Sequence, residues 1–289
     1  MTKTIRMLQF EDYPYMEAMD TAVEDDYIKR IFERLTSGPH KLYGMFLGDR
    51  LVSVGGYSIF ARSYAMLGRL RSDRNYRGMN HTTELLRHIK EEAFRLEDIR
   101  WAGANTQEEN TAARRVLEKA GLTPCAILHG AITKNTSALE TGAKPWAPVR
   151  NSRERKQWLE RVFTESEAVF PYECYYPFPA SEDLFAEDAV RDWQFYENPD
   201  QSRVLITKHD QKKYHYLHAI YPWQDFKEQN GLWETITNDY RVLSEQYTDE
   251  ETYVWMDMSR EAVDALPSEH PFTLPSPWIL HGEKKPDNK

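Results

Sequence analysis

The sequence predicts a mixed α/β protein built from two similar domains. Three observations carry that expectation. At 289 residues the chain is long enough for two cores. Residues 65–86 read as a strand, a tight basic turn and the start of an amphipathic helix. The second half repeats the first faintly: "APVRNSRERKQWLERVF" (147–163) echoes "KTIRMLQFEDYPYMEAM" (3–19) as a short strand, a polar cap and an amphipathic helix.

Thr4 to Leu8 form the first expected strand, and Glu11 and Asp12 open a helix through Tyr15, Met16 and Met19. A second helix is expected over 26–35, with Tyr27, Ile31 and Leu35 at helical spacing and a stop at Ser37, Gly38 and Pro39. Glu24, Asp25 and Asp26 before it suit either a solvated acidic helix start or a cationic ligand. Lys41–Leu47 and Leu51–Phe60 read as a hairpin around Gly48, Asp49 and Arg50, with Gly55 and Gly56 marking a bulge.

The strand from Ala65 to Ser72 then runs into Arg74, Arg77 and Gly78. The helix beyond buries Leu85, Leu86, Ile89, Ala93 and Leu96, the three-to-four-residue spacing of a helix lying on a sheet. A helix N-terminus offers unpaired N–H groups and partial positive charge, so this layout is an anion site.

The segment resembles the GNAT superfamily of acyl-CoA-dependent N-acetyltransferases. Arg69, Leu70, Asp73, Tyr76, Arg77 and Gly78 follow its "RL-x-x-D-x-x-YRG" approach to the coenzyme A pyrophosphate loop. The family loop is Arg/Gln-x-x-Gly-x-Gly/Ala, and here Asn80 and Thr82 replace its small residues. Asparagine tolerates left-handed backbone angles, whereas a branched threonine crowds a close phosphate. A second unit, Ile99–Ala104 followed by a helix opened by Asn110 and stopped at Gly121, keeps the family's N-x-x-A and terminal glycine but places Leu117 at its tyrosine.

The resemblance implies a mixed, mostly antiparallel central sheet flanked by helices and acetyl-CoA as co-substrate. It places the pyrophosphate on Arg77, Gly78, Met79, Asn80, His81, Thr82 and Thr83. The pantetheine arm runs along Leu70, Arg71 and Ser72, within reach of Asn105 and Asn110. The tyrosine normally donates a proton to the leaving thiolate. With leucine there, Tyr57, Tyr64 or a tyrosine from the second half is an alternative acid, the thiolate leaves unassisted, or the protein is an inactive acyl-CoA-binding regulatory or scaffold protein.

Expected boundaries are 1–135 for a catalytic domain, 136–146 for a linker, 147–282 for a degenerate GNAT-like domain and 283–289 for a disordered tail. The second domain lacks an arginine-rich turn. Its "PWQDFKEQNGLWETI" offers Asp225 and Glu228 instead, which repel a pyrophosphate. The aromatic run Phe170–Phe178, broken by three prolines, reads as a packed loop. His215 and His218, three apart on a strand, point to opposite faces and cannot share a metal. Cys125 and Cys174 are the only cysteines, too few for a disulfide framework and too isolated for a zinc site, so no metal is expected.

The first 144 residues carry a net charge of +2 and the remainder −11. That division suits either simple solubility or an acidic half that attracts a small cationic amine acceptor, and with no basic stripe it argues against a nucleic-acid partner. No apolar run of membrane-spanning length occurs, and the N-terminus has no signal-peptide pattern, so the expected compartment is the cytoplasm.

Overall fold

The computed structural model describes residues 2–286 and divides into two units. The first comprises Met1–Cys125 and Leu280–Lys289, the second Ala126–Ile279.

In the first unit the strands are β1 (Lys3–Met7), β2 (His40–Leu47), β3 (Arg50–Phe60), β4 (Tyr64–Ser72) and β5 (Trp101–Gln107). Its helices are α1 (Tyr13–Ala18), α2 (Tyr27–Arg30), α3 (Phe32–Leu35), α4 (His81–Arg95) and α5 (Thr111–Lys119). β1 to β4 are neighbours in order and antiparallel, while β5 pairs parallel to β4 across the α4 crossover. Side-chain alternation along β2 feeds two cores. Tyr43 and Met45 join Leu85, Leu86 and Ile89 of α4, and Leu42 and Phe46 join Met16, Ile28 and Phe32 of α1–α3. The single helix expected over 26–35 is instead two short ones, broken at Ile31 with φ −111°. Ile28, Phe32 and Leu35 are all buried, the spacing that one helical face provides.

The second unit holds most of β6 (Thr123–Thr133), then β7 (Ala147–Pro148), β8 (Val169–Glu173), β9 (Tyr176–Pro179), β10 (Gln194–Glu197), β11 (Val204–Gln211), β12 (His215–Ile220) and β13 (Thr252–Met258). Its helices are α6 (Ser152–Leu159), α7 (Glu187–Val190), α8 (Leu232–Gln246) and α9 (Arg260–Asp264). Strand order is β7-β10-β11-β12-β13-β6, with β12 and β13 parallel across the α8 crossover. The first unit has the order β1-β2-β3-β4-β5, with its sixth place taken by the chain's last strand, β14 (Trp278–Lys284). The faint sequence repeat is therefore a topological one, down to two crossover helices of 15 residues each.

Several expectations change. β6 was expected to close the first domain, but from Ala126 it belongs to the second unit, where His129–Thr133 pair with β13. The two compact units divide between Cys125 and Ala126. The expected linker is packed onto the second unit: Thr136 is buried, and Glu234 accepts from Thr141 N (2.6 Å), Thr141 Oγ1 (2.9 Å) and Ala143 N (3.1 Å). The aromatic run is a hairpin, β8–β9, with Pro171 opposite Pro177; paired on one side only, these strands tolerate the missing N–H donors. β10 was not anticipated. Of the expected disordered tail, Glu283 and Lys284 lie in β14, and residues 287–289 fall outside the described residues.

Gly231, the residue before α8, has φ +84°, and a Cβ there would stand 2.2 Å from Lys144 O. Gly231→Ala combines a left-handed cost of about 1–2 kcal/mol with that collision. Urea unfolding is expected to show the loss as a lower midpoint, and an unchanged midpoint would mean that segment 141–146 is not fixed there.

Candidate functional site

The site of interest forms where β4 and β5 part. They pair only at Tyr64↔Trp101, Ala65↔Ala102 and Met66↔Gly103. Beyond that point Leu67–Ser72 and Ala104–Gln107 continue as strands that do not pair with each other. A bulge in β4 adds to the opening: Gly68 stands opposite Gly56 and Arg71 opposite Val54, so Arg69 and Leu70 together face Gly55. Arg69 takes up the extra residue with φ +58°. The result is a strand edge without its β5 neighbour beyond Met66, along which Leu70 O accepts from Arg71 Nη1 (2.9 Å) and Arg71 O from Ser53 Oγ (3.0 Å).

At the end of β4 the chain turns through Asp73, whose side chain accepts from Asn75 N (2.9 Å), and reaches α4 through two left-handed residues, Gly78 (φ +81°) and Asn80 (φ +63°). Asn80 supplies no side-chain cap. The first intrahelical bond is Glu84 N to Asn80 O, so the amides of His81, Thr82 and Thr83 precede the helix's own acceptors. These residues border a cavity of about 190 Å³ that is also lined by Ser72, Tyr76, Gly78, Asn80, Arg115, Val116 and Lys119. The helix dipole and the two α5 cations give it positive character.

Six of the expected cofactor residues therefore meet in one place: Ser72, Gly78, Asn80, His81, Thr82 and Thr83. Thr82 does not stand free, because its hydroxyl takes a hydrogen bond from Ser53 Oγ (3.2 Å). Leu70 packs its side chain on the core and offers only main chain. Met79 is exposed, Asn105 lies on β5 past the last β4 pair, and the Asn110 side chain is occupied in capping α5 through Ala113 N (3.0 Å).

The arginines of the turn are spent on protein contacts. Arg71 makes a two-pronged ion pair with Asp26 (Nε–Oδ2 2.7 Å, Nη2–Oδ1 2.9 Å), Arg74 pairs with Asp20 (2.7 Å), and Arg77 donates to Thr21 O (2.8 Å). Arg69 donates to Ser58 Oγ (2.6 Å). The acidic and basic segments that the sequence set against separate ligands thus latch onto each other, and Asp25 is likewise paired with Arg30. Tyr76, Arg115 and Lys119 were missed. The signal was present, since Arg115 and Lys119 stand four apart on one face of a helix.

Asp26 is almost fully buried. Burial alone would raise its pKa, but the Arg71 hydrogen bonds, the Ile28 amide and the Arg71 charge outweigh it and hold the carboxyl below its ordinary value. Leu117 is a core residue. Tyr57 and Tyr64, the alternative acids, are both buried; burial raises the Tyr57 pKa, and Tyr64 packs on Trp101.

The second unit opens in the same way after Ala219↔Met256. The cavity there, about 180 Å³, is lined by apolar groups such as Phe163, Ile220, Trp223 and Met258, with Asp257 and no lysine or arginine. The α8 N-terminus is covered by the chain itself, through Trp146 N to Thr235 Oγ1 (2.8 Å) and Trp146 Nε1 to Asn230 O (2.9 Å). Glu234 adds a carboxylate in the first turn of that helix, which disfavours an anion there.

Residues 3–122 match the model of the Acetyltransferase (GNAT) family. The chain as a whole superposes on solved structures with that fold. A GCN5-related N-acetyltransferase from Sphaerobacter thermophilus aligns over 98% of this chain and 96% of its own, at 13% identity and TM-score 0.54. A protein from Thermoplasma acidophilum, described as a candidate acetyltransferase, aligns over 96% and 91% at 13% identity and TM-score 0.50. Among curated proteins none matches significantly.

The Asp26–Arg71 pair yields a pH prediction. A depressed carboxylate pKa contributes stability above the ordinary value near 4 that is lost as pH falls through the folded value. Asp26→Asn is expected to lower unfolding stability by about 1–3 kcal/mol at pH 7. It should also flatten the acid dependence below about pH 4. An acid limb identical to that of the parent would show that the pair contributes nothing.

Proposed function

We propose that the first unit binds acetyl-CoA and transfers its acetyl group to a primary amine of a small cationic molecule in the cytoplasm. The observation that carries this reading is the coincidence, on one strand, of the β4–β5 parting and a helix N-terminus entered through two left-handed residues. The pyrophosphate sits against the amides of residues 78–83, with Arg115 and Lys119 supplying charge. The pantetheine amide groups extend the open edge of β4 at Leu70, Arg71 and Ser72.

The chemistry follows from placement. Holding the thioester and amine in attack geometry supplies much of the rate, and a backbone N–H beside the bulge meets the tetrahedral oxyanion. An amine with a reference pKa near 10.4 gives up its proton to water or a base before attack. With Leu117 at the family's tyrosine and Tyr57 and Tyr64 buried, no side-chain acid is assigned, and the thiolate takes its proton from solvent.

Leu117 also favours a second reading, an acyl-CoA-binding regulatory or scaffold protein without catalysis. Thiol release from acetyl-CoA in the presence of a broad amine panel separates the two, since a scaffold protein releases none.

A Cβ at Gly78 meets no atom within 4 Å, so Gly78→Val tests the phosphate approach without a packing clash, with a left-handed backbone cost of about 1–2 kcal/mol at its φ of +81°. Calorimetry with acetyl-CoA is expected to show at least a tenfold weaker Kd, about 1.4 kcal/mol. Arg77→Ala, whose guanidinium is held by Thr21 O, should lose less. Undiminished binding by Gly78→Val, or none by the parent, would overturn the assignment.

A further inference from the structure

The hairpin β8–β9 carries Cys174 in its turn and sets it against the second unit's sheet. There the Cys174 Sγ, a carboxylate oxygen of Asp210 on β11 and a ring nitrogen of His218 on β12 all lie within 4.8 Å of one another. Cys174 and His218 are fully buried, and Asp210 is 9% exposed. The sequence separates Cys174 from Asp210 by 36 residues, which is why it read as isolated.

Three features separate this cluster from an ordinary buried thiol. His218 Nε2 is held by Asp257 Oδ2 (2.7 Å), which in turn accepts from Trp255 Nε1 (3.0 Å). That leaves His218 Nδ1, fully buried and without a hydrogen-bond partner. A carboxylate fixing one imidazole nitrogen while the other remains available is the arrangement that supports histidine ligands in metal sites. Asp210 is fixed as well, by Cys174 N (2.7 Å) and Lys212 (3.1 Å), and Lys212 with Glu173 stands between the cluster and solvent. Tyr175, Tyr216 and Trp255 pack around Cys174.

We propose that Cys174, Asp210 and His218 bind one divalent transition-metal ion of the zinc type. The ligands are the Cys174 thiolate, a carboxylate oxygen of Asp210 and His218 Nδ1, and water completes the four-coordinate set. One sulfur, one nitrogen and one oxygen donor suit such an ion. Bond lengths of roughly 2.0–2.3 Å require the donors to close by about an ångström at most. The thiol proton leaves to solvent as the ion binds. His215, on the opposite face and paired with Glu250 (2.9 Å), takes no part. Bound metal ties the hairpin turn to β11 and β12.

Full-length protein, dialysed against a chelator and titrated with Co²⁺, tests the site. The expected result is one equivalent bound, with a near-ultraviolet thiolate-to-cobalt charge-transfer band that Zn²⁺ bleaches. Cys174→Ser should abolish the band and Cys125→Ser leave it intact. Where circular dichroism shows that Cys174→Ser has not folded, Asp257→Asn carries the test: it keeps all three ligands and should weaken binding about 10–100-fold. Absence of the band in the parent at one equivalent, its survival in folded Cys174→Ser, or undiminished affinity in Asp257→Asn would overturn the proposal.

Discussion

The parting of a parallel strand pair is the constraint on which the first unit's site depends. β4 and β5 are joined for three residues and then separate, so a stretch of main chain inside a sheet is left without its neighbour. Such groups are costly to bury unmet, and a ligand with its own amide groups can meet them. The bulge at Arg69 and Leu70 and the left-handed residues Gly78 and Asn80 are the local devices that aim this edge and the following helix at one cavity. The segment Asp20–Asp26, latched by Arg71, Arg74 and Arg77, holds the turn in that posture.

The second unit shows what the same topology does without that outcome. Its parallel pair also ends early, and α8 also begins after a left-handed glycine. Yet residues 141–146 lie over the helix N-terminus, Glu234 adds a carboxylate there, and the cavity lining is apolar. The fold is shared while the lining of the two cavities differs, which is why the proposed function is argued from the site.

Much of this was legible in the sequence because it is local. The α4 face through Leu85, Ile89 and Ala93, the 40–60 hairpin and the Asn110 cap are patterns of a few residues, and the loop from Arg77 to Thr82 marked the cavity. What was not legible depends on partners distant in the chain. β6 has the pattern of any strand, and nothing within it says that it pairs with β13. Four arginines between Arg69 and Arg77 looked like a phosphate cradle, but three are spoken for by residues 20–26. The meeting of Cys174 with Asp210 and His218 needs the hairpin and the sheet together.

Hydrogen exchange with and without acetyl-CoA measures the central claim most directly, because it reads main-chain protection along the whole chain. The account predicts slowed exchange over residues 68–83 and 104–107, with residues 220–232 unchanged. Protection confined to the second unit, or none in residues 68–83 at saturating ligand, would contradict it.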